Sequence, residues 1–426
     1  MSLLRFLNVD KYETVDLSVS TQKMLIIQTI TPQKNNSPCC YRCNTPLDSI
    51  KSSHWIKARD LSIMNFQNYI KFKRRKGFCS KCHKYRSEHV SFLSETSPHI
   101  TKQFEFWLGK IAEITSIKKG AELGAVDKST LQRIDFKRLK KQIQHYKIPS
   151  PKRISVDEVY ANRQAKDRDE RFVTVITDLN TRKVIWVSQS RKKEALEQFF
   201  ILLGEKACQK IEVIAMDQHL AYKKAAEKYC PKATIVWDRF HLMRSFEQAV
   251  NDTRKHLIKL IPKNKRSKLI AGRYRFVFLK KEKRRTASES QHMKKVIEEN
   301  KLFNLLEIIK ERMFSFFDSS TEEEALGVIK EIGKWILESG FPPLKRWFMK
   351  FRERWDTVKN YFTHRVTTAL SEGINNVIKA LKRQAYGYRN MEYFRLKIMQ
   401  KVGYLNHKHL EFPLKPLERF ESEIIV

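Results

Sequence analysis

The 426-residue sequence predicts a multidomain α+β protein, and three observations support this prediction. A chain of this length can bury several hydrophobic cores rather than one. Two Cys-x-x-Cys pairs lie before residue 95, in a region where apolar and polar residues alternate as in β-strands. Apolar runs of strand length then alternate with helical segments between 153 and 238, and a mostly helical region follows.

The cysteine pairs predict a structural zinc site within the segment 1–95. Together the pairs supply the four thiolates of a tetrahedral site, namely Cys40, Cys43, Cys79 and Cys82. Roughly 35 residues separate the pairs, more than the usual 15 to 20 of this pattern, so we expect strands at 48–76. A closed four-cysteine site has no open coordination position, so the zinc would fold the segment and not catalyse. We expect the adjacent Cys39 and His83 to be bystanders.

The segment 96–150 predicts a helix-turn-helix DNA-binding domain. Helical periodicity up to residue 124, a short turn at 125–128 and a second helical run follow one another in the order of this motif. We expect Ser129 to cap the second helix. The side chains available for groove contacts are Thr130, Gln132 and Arg133. An ordinary packed helical hairpin is the alternative.

The segment 151–242 predicts a mixed β-sheet. Strand candidates lie at 153–160, 171–178, 182–189, 211–217 and 233–238, with helices at 192–208 and 219–229. A hairpin-like turn joins the second and third strands, whereas helix-length segments that suit parallel pairing separate the later ones. This is the strand order of a ribonuclease H-like α/β domain. We expect an all-helical insertion at 243–360, after which 361–426 completes that domain and ends in a C-terminal tail.

Three carboxylates favour metal-dependent phosphodiester chemistry. Asp157 and Asp217 each end an apolar run, and Glu372 lies in a helical stretch far downstream. Acids in such positions can converge on two Mg²⁺ (or Mn²⁺) ions, which prefer oxygen ligands and would activate the attacking oxygen and stabilise the leaving one. Acids at strand ends are also frequent without any catalytic role.

Four neighbouring residues have competing interpretations. Glu158 points to the opposite strand face from the preceding aspartate and is expected to be structural or salt-bridged. Asp178 lies where turns favour aspartate. Asp238 either supports the metal site or caps the following helix, and His241 either orients a phosphate or water or packs at the helix start.

The charge balance predicts a nucleic-acid partner. Lys and Arg number 84 against 47 Asp and Glu, a net charge of +37, and a field of this sign concentrates polyanions. A solvated basic surface is the alternative. Because no apolar run approaches the roughly 20 residues of a membrane span, and the first residues lack the features of a signal peptide, we expect a cytoplasmic protein without membrane partners.

Four short motifs surround the candidate carboxylates and His241. They are Val156-Asp-Glu158, Ala215-Met-Asp217, Val236-Trp-Asp-Arg-Phe-His-Leu242, and the run from Ser371 to Asn390 that begins Ser-Glu-Gly-Ile-Asn-Asn. They strongly resemble the motifs of bacterial insertion-sequence transposases of the ISL-three family. The paired cysteines and the helix-turn-helix also fall in that family's order, so the resemblance covers nearly the whole chain.

The resemblance implies a DDE transposase with a ribonuclease H-like catalytic domain, in which Asp157, Asp217 and Glu372 are catalytic. It implies that the zinc ribbon and the helix-turn-helix recognise the terminal inverted repeats of the element. The partners would then be double-stranded DNA, both element ends and target, and at least a second copy of the chain during synapsis. A bacterial, nucleoid-associated location is expected.

Basic and aromatic residues follow Glu372. The cations are Lys379, Lys382, Arg383 and Arg389, and they either grip phosphates or form a solvated face. Tyr386 and Tyr388 either wedge against distorted DNA or pack into the core. Two rival functions remain: a sequence-specific DNA-binding regulator with a vestigial nuclease fold, and a structure-specific ribonuclease H-like endonuclease.

Overall fold

The computed structural model describes residues 12–34, 36–261, 274–366 and 369–405. The outer parts of the predicted segments 1–95 and 361–426 and part of 243–360 lie outside the described residues. Two compact units divide the chain. Lys147–Tyr404 forms one, and the residues before Lys147 and after Tyr404 form the other.

The first unit begins with a five-stranded sheet. Its strands are β1 (Tyr12–Ser20), β2 (Leu25–Pro32), β3 (Ser49–Arg59), β4 (Gln67–Cys79) and β5 (Lys84–Ser87). They lie in the order β1-β2-β4-β3, with β5 also on β4, and only β2 and β4 pair in parallel. Alternating inward side chains build the core, in which the rings of Tyr12, Phe72 and Phe92 meet edge to face. The strands predicted between the cysteine pairs are confirmed.

Three helices follow the sheet: α1 (Lys102–Ile114), α2 (Ile117–Gly124) and α3 (Lys128–Gln144). They share a core that includes Phe104, Leu108 and Leu131, all fully buried. α2 ends when Ala125 enters the left-handed region with φ 48°, and α3 begins three residues later.

The prediction that Ser129 caps the second helix is wrong. Asp127 occupies the cap position of α3, without a side-chain cap bond. The left-handed residue after α2 reverses the chain within three residues, so Ser129 already lies in the first turn of α3.

The second unit contains a mixed five-stranded sheet. Its strands are β6 (Arg153–Tyr160), β7 (Phe172–Asp178), β8 (Lys183–Ser188), β9 (Val213–Met216) and β10 (Thr234–Trp237). The order is β10-β9-β6-β7-β8, with β6, β9 and β10 parallel and β7 and β8 antiparallel. The helices beside it are α4 (Lys193–Leu203), α5 (Glu205–Cys208) and α6 (Leu220–Tyr229). All five predicted strands are confirmed to within two residues, and the helix predicted at 192–208 is interrupted at Gly204.

Helices occupy most of the remaining described chain. They are α7 (Arg239–Leu260), then Tyr274–Leu279, Ala287–Glu299, Lys301–Phe316, Glu322–Glu338, Pro342–Glu353, Trp355–Val358 and Asn360–His364. Two more follow, Ala369–Gln384, which we call the Glu372 helix, and Met391–Val402. Within its described residues the region 243–360 is therefore helical apart from its connections. None of the described helices combines the length and apolar character needed to cross a membrane.

A buried ionic cluster fixes part of this helical region. Glu307 contacts Arg285 at 2.6 Å and Lys310 at 2.9 Å. The Lys310 ammonium also donates to the carbonyl oxygens of Phe278 and Lys280, each at 2.8 Å. Burial lowers the pKa of Lys310, and these acceptors compensate for the water that the ammonium loses.

Candidate active site and zinc centre

The four cysteines of the two pairs meet at one point of the first unit. Cys40–Cys43 is a turn before β3, and Cys79–Cys82 is the turn between β4 and β5. All four sulfur atoms lie within 4.8 Å of one another, with separations of 3.9 Å for Cys40 to Cys82 and 3.4 Å for Cys43 to Cys79. A tetrahedral zinc with Zn–S bonds of about 2.3 Å requires sulfur separations of about 3.8 Å. The donor set therefore fits Zn²⁺.

The protonation of one thiol and the placement of the neighbours agree with this site. Hydrogen bonds from the side chain and backbone of Thr45 lower the pKa of Cys43 to about 6, which favours the thiolate that binds metal. Cys39 and His83 lie outside the sulfur group, as predicted.

Three aspartates occupy the same level of the second sheet. Val156 of β6 pairs with Met216 of β9, and Met216 pairs with Trp237 of β10. An aspartate follows each of these paired residues: Asp157 within β6, Asp217 directly after β9 and Asp238 directly after β10. Parallel strands carry them in one direction, so they line up at the carboxyl edge of β9 and β10, the edge at which open α/β sheets bind ligands.

His241, in the first turn of α7, joins these three carboxylates. Its Nδ1 lies 3.4 Å from Asp217 Oδ2, and its Nε2 lies 3.8 Å from Asp157 Oδ1 and 3.6 Å from Asp238 Oδ2. Burial lowers the pKa of His241, but the nearby carboxylates of Asp157, Asp217 and Asp238 outweigh burial and raise this pKa to about 9. The His241 ring thus lies among three acids.

Backbone N–H groups orient each aspartate. Asp157 Oδ1 accepts from Glu158 N at 2.7 Å, and Asp217 Oδ1 accepts from Gln218 N at 2.6 Å. Asp238 Oδ1 accepts from the backbone of the second residue of α7 at 2.7 Å. Asp238 therefore caps α7, which confirms that interpretation. It also faces His241, and its support of a metal site stays a prediction.

The Glu372 helix runs alongside β6. Ser371 Oγ lies 2.9 Å from Ser155 Oγ, and Asn375 Nδ2 donates to Asp157 Oδ2 at 2.7 Å. On the same helix, the Ile374 side chain is buried, whereas the Glu372 side chain is exposed. The cysteine group alone, among the described residues, brings three or more metal-ligand side chains within 4.8 Å. The structure thus joins Asp157 to Asp217 through His241 and brings the helix of Glu372 to the same strand, without closing the three acids on one point.

Comparison with known proteins identifies the family. The family model for the DDE domain of the ISL-three (ISL3) family, described as "Transposase", matches residues 154–398, more than half of the chain. The protein belongs to the ISL-three family of transposases. A second model, the zinc-finger of transposase IS204/IS1001/IS1096/IS1165, matches residues 36–82. The transposase for insertion sequence element IS1001 of Bordetella parapertussis is 22% identical over 360 residues, covering 84% of this chain and 87% of the relative.

The two structural acids of this transposase lie as expected. Glu158 is mostly buried and contacts Arg191 at 3.4 Å, and burial raises the pKa of Glu158. Asp178 closes its turn by accepting from Asn180 N at 2.9 Å and Thr181 Oγ1 at 2.8 Å. Asp178 is thus engaged by its own turn, whereas Glu158 pairs with Arg191 and its pKa is also raised by the charge of Asp217.

Sequence reasoning missed two features of the site. Asn375 was noted only as part of a motif, although its position one helical turn after Glu372 was a usable signal. Gln218 accepts a hydrogen bond from Arg354, and no sequence pattern pointed to this pair. Gln218 and Arg354 line a cleft of about 390 Å³ beside α7, together with Arg346 and Lys350.

The predicted DNA-contact residues differ in exposure. Gln132 and Arg133 are exposed on α3, and Thr130 is half-buried. In the second unit Lys379, Arg383 and Arg389 are exposed. Lys382 is engaged, since its ammonium donates to Tyr160 O at 3.2 Å and lies 4.8 Å from the centre of that ring.

The two tyrosines after the Glu372 helix behave differently. Tyr388 packs against Phe394, with ring centres 4.7 Å apart, so core packing is confirmed for this residue. Tyr386 is 98% exposed, and the prediction that it packs into the core is wrong. The backbone turn between them directs the two rings apart, which periodicity could not show.

Proposed function

We propose that this protein is a DDE transposase that binds the terminal inverted repeats of an insertion sequence, cleaves the ends and joins them to target DNA by two-metal chemistry. The observation that carries the proposal is the alignment of Asp157 with Asp217 across parallel strands, beside a helix that bears Glu372 and bonds to the Asp157 strand. Membership of the ISL-three family supports the same assignment.

Asp157, Asp217 and Glu372 would hold the Mg²⁺ or Mn²⁺ ions, because hard cations prefer carboxylate oxygens. When bound, such ions increase the nucleophilicity of the attacking oxygen and stabilise the leaving one. Asn375 keeps Asp157 in position by donating to one of its oxygens. His241 lies between the aspartates, where an imidazole can contact a phosphate oxygen or the attacking water.

The reaction requires two exchanges at phosphorus. In the first, a water oxygen bonds to phosphorus at the element end while the bond from phosphorus to the 3′ oxygen breaks, which leaves a 3′-hydroxyl. In the second, this hydroxyl oxygen attacks a phosphorus of target DNA, and the bond to the target's own 3′ oxygen breaks. The same carboxylates would serve both steps by holding the divalent cations, since each step develops negative charge on the attacking and leaving oxygens that such cations stabilise.

The first unit is the proposed reader of the element ends. α2 and α3 would form a helix-turn-helix, with Gln132 and Arg133 directed at base edges and Thr130 beside them. The sheet next to the zinc centre adds a basic face, on which Trp55 is 52% exposed and lies beside the ammonium groups of Lys71 and Lys73. Cations of this kind bind phosphates without regard to sequence.

The second unit is the proposed catalytic part. Its sheet, with an antiparallel hairpin followed by parallel strands, would be a ribonuclease H-like core divided between 151–242 and 361–426, with 243–360 as the insertion. Lys379, Arg383 and Arg389 would contact phosphates near the active site, whereas Lys382 also ties the Glu372 helix to β6. Two chains would act together, one at each element end.

The test uses the full chain and labelled duplex DNA carrying the sequences that flank its gene, with Mg²⁺, with Mn²⁺ and without either. We expect cleavage at a defined end and a joined product, both absent for Asp217→Asn and without metal. Glu212→Gln is the matched control, because this exposed acid lies beside the opposite end of β9.

Each alternative product pattern identifies a rival. Cleaved ends without joined DNA would favour a structure-specific endonuclease. Specific binding that Asp217→Asn leaves unchanged, with no cleavage by the unmodified protein, would favour a regulator and contradict the proposal.

A further inference from the structure

The turn after the Glu372 helix holds a tyrosine in an unusual backbone conformation. Tyr386 N donates to Arg383 O and Gly387 N donates to Lys382 O, each at 3.0 Å. These two bonds form a Schellman motif, in which the first residue past the helix is left-handed and is usually glycine. Here that residue is Tyr386, with φ 53°, and the glycine comes one position later.

Folding alone does not explain a tyrosine at this position. Side chains with a Cβ atom are disfavoured in the left-handed region, and the Tyr386 side chain is 98% exposed, so its ring gains almost no burial. Both flanks of the turn are anchored without it. Lys382 donates to Tyr160 O on one side, and Tyr388 packs against Phe394 on the other. The anchored turn therefore presents the Tyr386 ring to solvent.

The distance of this ring from the catalytic aspartate follows from the contacts between the Glu372 helix and β6. Ser155 contacts Ser371 and Tyr160 contacts Lys382, so helix and strand advance in the same direction. The strand segment 155–160 and the helix segment 371–382 each span about 16 Å, since a strand rises about 3.3 Å and a helix about 1.5 Å per residue. Tyr386 therefore lies on the order of 15 Å past Asp157, which is about four to five base pairs of B-DNA at 3.4 Å each.

We propose that Tyr386 inserts between base pairs of duplex DNA about four to five base pairs from the scissile phosphate. The inference rests on the proposed function, because it requires DNA across the Asp157 site. Arg383 and Arg389 are exposed on either side of the turn and would hold the phosphates that flank the opened step. A rigid turn suits this role, since the ring is already in its working position before DNA binds.

The first test compares Tyr386→Gly with Met64→Gly. Met64 is also left-handed (φ 52°) and 92% exposed, but it lies in the first unit. Glycine removes the backbone strain of the left-handed conformation at both positions, so we expect the melting temperature of each variant to be unchanged or higher. Only Tyr386→Gly should lose cleavage, by about 10- to 100-fold from the usual stacking contribution of an aromatic ring, while Tyr386→Trp retains it.

The second test distinguishes element DNA from target DNA. An abasic nucleotide is moved one position at a time through the end DNA in one series and through the target DNA in the other. If the ring fills a gap in the base stack, an abasic site four to five pairs from the scissile phosphate should restore much of the activity of Tyr386→Gly. The series in which rescue occurs identifies the DNA that is opened.

The outcomes separate this inference from the proposed function. Absence of cleavage by the unmodified protein contradicts the proposed function and, with it, the inference. Cleavage by the unmodified protein and equal cleavage by Tyr386→Gly contradicts the inference alone. A cleavage defect that no abasic position relieves, in either series, also overturns insertion.

Discussion

At the scale of single residues, Asn375 is the side chain that orients Asp157, the proposed metal ligand. Its amide donates to Asp157 Oδ2 at 2.7 Å, while the backbone of Glu158 holds the other oxygen. Partners that orient metal-binding carboxylates affect both metal affinity and rate. The position of Asp157 therefore depends on a residue 218 positions away in the chain.

Replacing this amide should weaken metal use without unfolding the protein. For Asn375→Ala we expect the Mg²⁺ concentration for half-maximal cleavage to rise about 10- to 100-fold, as is usual when such a partner is lost. The measurement is the cleavage rate across a Mg²⁺ titration. Asn376→Ala is the control, because Asn376 is the next residue of the same helix and is exposed. Equal titration curves for the two variants would contradict the assigned role.

The sequence predicted the acids but not how they are joined. Asp157 and Asp217 were recognisable because each follows an apolar run, and their alignment then depends only on parallel pairing. The bridge through His241 depends on the angle at which α7 leaves β10, which no spacing specifies. The exposure of Tyr386 depends on a left-handed residue that is usually glycine. Here the glycine that would indicate such a turn comes one residue later, at Gly387.

The zinc ribbon shows how two short turns organise a sheet at the scale of elements. One cysteine pair precedes β3 and the other joins β4 to β5, so the sulfur cluster closes the open end of the β3–β4 hairpin, where Ser49 pairs with Phe78. Cys40 and Cys79 are fully buried. Without a metal, the four thiols would pack against one another and the free energy that metal binding adds to folding would be lost.

Removing one ligand should release the metal and weaken DNA binding. For Cys79→Ser we expect loss of the one zinc per chain and a lower melting temperature of the first unit, because structural zinc contributes directly to folding. Metal content by atomic absorption and thermal unfolding test this. Cys39→Ser should retain the zinc, since Cys39 lies outside the sulfur group. Zinc retained in full by Cys79→Ser would refute the assignment.

Elements were predicted more reliably than their ends. The strands of the second sheet follow from apolar runs bounded by turn residues, which local sequence reports well. The start of α3 was misassigned because Asp127 and Ser129 are about equally good intrinsic caps, and the left-handed Ala125 decided the boundary. Tertiary geometry outweighs local preference at such positions.

At the scale of the whole molecule, the net charge of +37 would dominate the proposed interaction with DNA. Exposed cations occur in both units, on α3 and around the turn after the Glu372 helix. Neutralising phosphates releases counterions, so binding strength depends steeply on salt. Charge alone gives affinity, and base contacts are needed for preference among sequences.

This predicts a strong salt effect on binding to the element end. If about six or more phosphates are contacted, raising salt from 50 to 200 mM should weaken affinity by about 10³-fold or more. Equilibrium binding to end DNA and to a scrambled duplex of equal length measures this effect. A change below about tenfold for both duplexes would contradict a binding mode based on phosphate contacts.

The contacts between β6 and the Glu372 helix have a consequence for the order of synthesis. They join residues 216 and 218 positions apart, so at about 5 to 20 residues per second the ribosome needs roughly 10 to 40 seconds between the two partners. By the end of that interval the zinc ribbon, α1 to α3, Asp157 and Asp217 have been synthesised, but the Glu372 helix has not. Under the proposed function, a growing chain would hold DNA before it can cut it, and cleavage would wait for synthesis of the Glu372 helix.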